Sequence, residues 1–533
     1  MNREDIHMTC RPAKFLILLL SCSFFLAISP AYPQDDVALR LLDLGSKRYA
    51  AGDVDGAITL FRQAVNASPK NGVALSVLGQ TLLAKGDLDE AAAIYERSVT
   101  RLDEAAQSGA FAGRKKTVPS ILDVALNNLA IIYYQQGKLD LAFARANRVV
   151  TESPTYADAW VTRGIILEVQ GKLDDAIADF RRAKNLAPEL ALASQNLGQA
   201  LQRKGQTDEA VSVLQKGIGF HPEDPDLQGA YGSALSQKKR YADAVTAFQA
   251  SLAIRPDSPE QLYGLGNALR YQGKFPQALA ALESAHKLAP ADNDTTMGLA
   301  ELLRDMGRSS EATTVLNSLP AGSANNPYFL LARANTLSQN GQPREAIDLI
   351  QKALAAKPDF PEATAALAAL QIDIGKISDG LAMVKPVLAA HDDCPEIHNS
   401  YGLLLGAESK FPEALAEYER ALTLRPSYVD ARLNRAVTLS RQNRFADAIA
   451  DFQQALSING NNLKARANLA VTYLRAGQFE NSCDSFRKAI ELDPKDPDLR
   501  TNLAIALEKA GHPTEAQQAF AEAKKLKSAS SKP

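Results

Sequence analysis

The sequence predicts an all-helical repeat array, an α-solenoid of antiparallel helix pairs, and three observations predict it. A column of residues rich in proline recurs at steps of 34: Pro154, Pro188, Pro222, Pro256, Pro290, Ala324, Pro358, Asp392, Pro426, Gly460 and Pro494. Counting back 24 positions from these anchors meets only Gly or Ala, as at Gly164, Gly198, Ala334 and Ala436, and counting back 12 meets small residues again, as at Ala176, Ala210, Ala346 and Ser482. Between these columns stands a third, mostly glycine, with Lys239, Ser409 and Asn443 as its exceptions. A fixed period of this length marks supersecondary elements that cover their apolar faces only against their neighbours. Small residues in both halves of a unit let two helices cross closely.

The elements follow in order along the chain. Arg3, Arg11 and Lys14 precede an apolar run from Phe15 to Ile28, followed by Ser29-Pro30-Ala31. This is the pattern of a secretory leader, so 1–31 are expected to be a signal peptide and the remainder exported, to the periplasm or beyond if the source is bacterial. The run falls short of the ~20 residues of a membrane-spanning helix. Leu19-Leu20-Ser21-Cys22 resembles a lipoprotein cleavage site, but Phe24, Phe25 and Leu26 continue the apolar run, so anchoring through Cys22 is not expected. Units 1 and 2 are assigned to 36–103. The gap from Pro69 to Pro154 is 85 residues, two periods plus 17, and the excess is placed at 104–120, where Gly109, Gly113, Pro119 and Arg114-Lys115-Lys116 read as an exposed insertion loop, with an overlong second helix before it as the alternative. Units 3 to 14 occupy 121–528, and 529–533 form a polar tail.

Within a unit, the glycine column should end the first helix, because glycine takes the left-handed C-cap conformation without steric cost. Acidic residues follow at once, as in Leu173-Asp174-Asp175-Ala176, and favour a helix N-terminus. Pro276, Pro343, Pro412 and Pro513 fall in that same first turn, where a missing amide proton does little harm. The anchor proline closes the second helix. Cys394 and Cys483 lie two units apart, beyond disulfide reach, so the fold is expected to rest on packing alone.

Several function classes are disfavoured by the residues present. A formal charge of -2 gives no global attraction for nucleic acid or anionic membrane. Gly164 to Gly171-Lys172 mimics a phosphate loop, but its glycines are too far apart and Leu173 replaces Ser or Thr. No Gly-x-Ser-x-Gly elbow occurs. His391, Asp392, Asp393 and His398 form the one metal-capable cluster, and they read as ordinary turn residues. No catalytic residue, metal or cofactor is expected.

The unit resembles the tetratricopeptide repeat, whose pattern is Trp-x2-Leu-Gly-x2-Tyr, then Ala-x3-Phe, then Pro. Trp160, Gly164, Leu167, Ala176, Phe180, Ala183 and Pro188 carry the fullest match, and fourteen units can be counted. The resemblance implies a right-handed superhelix whose first helices line a concave groove for extended or helical segments of partner proteins. It therefore implies a non-enzymatic interaction scaffold, here for an envelope or secretion assembly. The alternative is a targeting or regulatory arm of a separate enzyme such as a glycosyltransferase.

Under that template one stretch stands out. Asn434, Asn468 and Asn502 share one column, and Arg441, Arg475 and Lys509 another, seven residues further along the same helical face. Amides can bond a peptide backbone and the cations favour carboxylates, so an acidic segment is the expected ligand. Asn196 with Arg203 repeats the pattern in unit 5, whereas Ala332, Ala366, Asp305 and Asp373 stand in these columns elsewhere. Lys464 with Asn468 matches a fragment of the family's carboxylate clamp for chaperone tails, but Asp430 and Asp498 do not continue it.

Overall fold

The structure is a computed structural model that describes residues 36–108, 120–319 and 325–530, with side chains to 528. Twenty-eight helices and no strand lie among the described residues. The residues divide into two compact bodies, one ending at Lys238 and the other beginning at Lys239. The leader read in 1–31 lies outside the described residues, as do 109–119 of the inserted segment and 531–533 of the tail.

Unit 4 shows how the sequence builds each pair. Its first helix spans Ala157–Val169, the chain turns through Gly171 at φ +78°, and the second helix spans Leu173–Leu186. A Cβ added to Gly164 would stand 2.5 Å from Cε1 of Phe180, so the ring packs directly on the backbone of the facing helix. The same 16-residue partnership joins Gly79 to Tyr95 and Gly402 to Tyr418. The small column 24 residues before the anchor therefore makes room for a large side chain, and its partner column, represented by the fully buried Ala176, lets the backbones approach. Ala176→Leu should overpack this crossing and destabilise the N-terminal body by ~1–3 kcal/mol, read as a lowered denaturation midpoint.

The turn between the helices keeps its conformation where glycine is missing. Lys239, Ser409 and Asn443 have φ of 59°, 62° and 60°. Left-handed backbone costs an ordinary residue roughly 1–2 kcal/mol. The helix pair on either side imposes the turn, and glycine only makes it cheaper.

One departure from regularity falls at the break in register and another where the anchor proline is replaced. The second helix of unit 2 runs for 20 residues, Leu88–Gln107, so 104–107 of the segment read as a loop are helical. In unit 8 the second helix, Ser309–Leu316, ends after 8 residues, shortly before Pro320 in the sequence. That unit is also the one with alanine at its anchor.

Charged residues are built into the crossings as well. Arg163 grips Asp179 with two hydrogen bonds of 2.7 Å, and its guanidinium lies 4.8 Å from the Trp160 ring. Unit 12 repeats this contact with Arg435 and Asp451, again with two bonds of 2.7 Å. Each pair ties the first helix of its unit to the second. On the outside, successive units are joined by exposed ion pairs at fixed offsets, such as Arg62–Glu90, Arg181–Glu209 and Arg487–Glu515. Solvent screening limits each of these to about 0–1 kcal/mol.

Candidate functional site

The first helices of the last three units are Val429–Arg441, Leu463–Arg475 and Pro497–Ala510. Ala436, Ala470 and Ala504 are fully buried and seat each helix on its partner. That orientation fixes what the opposite face displays. Asn434, Asn468 and Asn502 are half-buried, while Arg441, Lys464, Arg475 and Lys509 are exposed. Asn434 donates through Nδ2 to Oδ1 of Asn399 on the first helix of the preceding unit at 2.9 Å.

Arg475 is held in place by neutral groups. It donates to Ser440 Oγ at 3.1 Å and to Asn443 Oδ1 at 3.2 Å, and its guanidinium lies 5.4 Å from the Phe445 ring. None of the four cations forms an ion pair among the described residues, and Lys464 acts on Asp430 only at longer range. Elsewhere exposed cations commonly meet an acid of the preceding unit, as in Lys85–Asp55, Lys204–Asp174 and Lys238–Asp208. The last three units thus display positive charge that the chain itself does not neutralise.

Between the amide and cation columns lies an aliphatic one. Val471 and Ile505 are each 36% exposed, and Val437 is half-buried at the equivalent place. Sequence reasoning missed these residues. Their signal is a 34-residue spacing three positions after each asparagine, on the side of the helix away from the small core column. The face combines side-chain amides, apolar contact area and cations without an ion-pair partner among the described residues.

The N-terminal echo of this pattern is differently disposed. Asn196 is buried and donates to the Leu192 carbonyl oxygen of its own helix at 2.8 Å, and Arg203 is paired with Glu168 at 2.6 Å. Both residues are tied up within their own body. The histidine cluster holds together only in part: His391 Nε2 contacts Asp359 at 2.8 Å, whereas His398 contacts Glu417 at 2.7 Å through Nδ1 and the Asp392 carbonyl oxygen at 3.0 Å through Nε2. Among the described residues, no three His, Cys, Asp or Glu side chains are grouped to hold a metal. Cys394 and Cys483 are buried free thiols, and burial, reinforced by Glu396, pushes the Cys394 thiol up to about 12. Such a thiol stays protonated at neutral pH and is a poor nucleophile.

Comparison with known proteins agrees with the geometry. Tetratricopeptide-repeat models match residues 48–108, 269–335 and 337–404, 125–191, 196–259 and 402–463, 485–518 and 463–496. The chain is a tetratricopeptide-repeat protein. None of the curated proteins matches it. Among solved structures, a chain of the crystal structure of the APC/C hetero-tetramer Cut9-Hcn1 is similar at 14% identity and a TM-score of 0.50. The likeness covers 94% of this chain and 96% of that one, and it shows a shared tetratricopeptide solenoid fold.

Proposed function

We propose that this tetratricopeptide-repeat protein is a protein-interaction scaffold whose units 12 to 14 dock an acidic, amphipathic segment of a partner. The observation that carries the reading is the row of cations Arg441, Lys464, Arg475 and Lys509, unpaired with carboxylates and flanked by exposed Val471 and Ile505. Carboxylates of the partner would meet the cations and its apolar side chains the aliphatic column. Asn468 and Asn502 would bond its backbone. Because these groups sit on packed helices, little ordering cost falls on the scaffold side. The leader pattern in 1–31 supports a site of action outside the cytoplasm, in an envelope or secretion assembly if the source is bacterial.

The test uses a fluorescent synthetic peptide with Glu and Leu at helical spacing. Arg441→Glu with Arg475→Glu should weaken its binding roughly tenfold or more, since two reversed charges at about 0.7 kcal/mol or more each reach 1.4 kcal/mol. The salt dependence of the remaining affinity should flatten while the helical circular dichroism stays unchanged. Equal affinity of the variant and the parent would remove the proposal.

A further inference from the structure

In the C-terminal body, residues four to five units apart touch. Ser427 Oγ donates to the carbonyl oxygen of Tyr271 at 2.6 Å, and Asn459 Nδ2 donates to that of Asp305 at 3.1 Å. These bonds span 156 and 154 residues. One side of the contact is made by the C-terminal ends of the first helices of units 7 and 8, Pro259–Tyr271 and Asn293–Asp305. The other side is made by the turns that lead into the first helices of units 12 and 13.

Charged and aromatic side chains line both sides of the contact, which surrounds a small cavity walled by Arg270, Asp305, Arg425 and Asp430. The Arg425 guanidinium lies 5.3 Å from the Tyr271 ring, which stacks on Tyr241 with centroids 4.8 Å apart. Arg270, 7% exposed, is bound to Glu301 at 2.5 Å and to Asp305 at 2.7 Å, while Arg425 is bound to Glu396. Burial alone would raise the Asp305 carboxyl, yet Arg270, Arg304 and, from the opposite side, Arg425 hold it below its ordinary value. Polar groups withdrawn from water cost free energy unless they are paired. Here each side pairs its own charges, and Ser427, Asn459 and Arg425 add two hydrogen bonds and a ring contact across the seam.

We infer that units 7 to 12 close on themselves through this polar seam, and that the seam governs access to the inner faces of the units between. The ends that meet belong to first helices in units 7 and 8 and to second helices in units 11 and 12, whose C-caps are Arg425 and Asn459, so the units between them form a closed turn. Units 13 and 14 lie beyond the seam, which agrees with the exposure of Val471, Arg475, Ile505 and Lys509. A partner segment for units 9 to 11 would have to enter while the seam is open. The inference is independent of the docking face, because it concerns contacts that the cation row does not make.

A disulfide trap tests closure. A Cβ on Gly273 would stand 3.6 Å from the Ser427 Cβ, within the roughly 3.5–4.5 Å that a disulfide spans. Gly273 has φ +75°, and Lys239, Ser409 and Asn443 show that the equivalent turn accepts a side chain there. In the full chain, Gly273→Cys with Ser427→Cys should form an intramolecular disulfide on mild oxidation, identified by peptide mass spectrometry. Access is tested separately in the unlinked chain with Ala369→Cys, a half-buried site on the first helix of unit 10. Adding Arg425→Ala and Ser427→Ala should speed its labelling by a polyethylene-glycol maleimide several-fold, leave labelling by N-ethylmaleimide unchanged, and preserve helical circular dichroism. Failure of the disulfide to form in a chain with parental circular dichroism would overturn closure. Equal rates with the bulky reagent would overturn the gating role, and this second arm stands even if the Gly273 variant does not fold.

Discussion

Phe180→Ala should destabilise the N-terminal body by ~3–5 kcal/mol, the range for truncating a fully buried aromatic ring. Phe180 is 0% exposed and rests against the backbone of Gly164, where an added Cβ would stand 2.5 Å from the ring. Truncation leaves a cavity whose opposite wall has no side chain to relax into it, so the upper part of the range is expected. Nearest-neighbour coupling in a repeat array should confine the damage. Hydrogen exchange should quicken in 157–186 and in the helices stacked on them, while helices near the C-terminus keep their protection. Adding Gly164→Ala should recover part of the loss by filling space beneath the missing ring. A loss below about 1 kcal/mol would contradict the proposed role of the glycine column.

Asp451→Ala should cost the C-terminal body about 3 kcal/mol, at the low end for breaking a buried ion pair because Arg435 keeps some contact with water. Asp451 is 5% exposed and accepts both bonds from Arg435, and the buried Arg432 lies 3.6 Å away. Arg432 retains Gln454 Oε1 and the Pro426 carbonyl, both at 2.7 Å, so hydrogen bonding survives where charge compensation does not. Asp451→Asn should cost less, since an acceptor remains for one of the two bonds. The denaturant midpoint of the two variants decides this, and equal midpoints would mean that charge rather than hydrogen-bond geometry holds the pair.

The register was legible because it rests on chemistry repeated at fixed spacing. Gly164 faces Phe180 in the same way that Gly79 faces Tyr95, and a side chain too large at either place would be visible in the sequence as a break in the column. The left-handed turn was read from glycine, yet Lys239, Ser409 and Asn443 adopt it too, because the flanking helices dictate the backbone there. The amide and cation columns were legible for the same reason as the core columns. The aliphatic column of Val437, Val471 and Ile505 was equally encoded but blended with ordinary apolar composition until exposure singled it out. Glu168, which pairs with Arg203, stands one unit earlier and in a different column, so the pairing follows from how neighbouring helices stack. The seam between Tyr271 and Ser427 had no local signal at all. It depends on a small rotation per unit summed over more than four units, and that sum is not written at any one position.

Hydrogen exchange with the Glu- and Leu-bearing peptide decides whether the first helices of units 12 to 14 form the docking surface. Added protection is expected in 429–441, 463–475 and 497–510, absent when Arg441 and Arg475 are both glutamate. Binding that protects other helices, or that protects these equally in the charge-reversed chain, would contradict it.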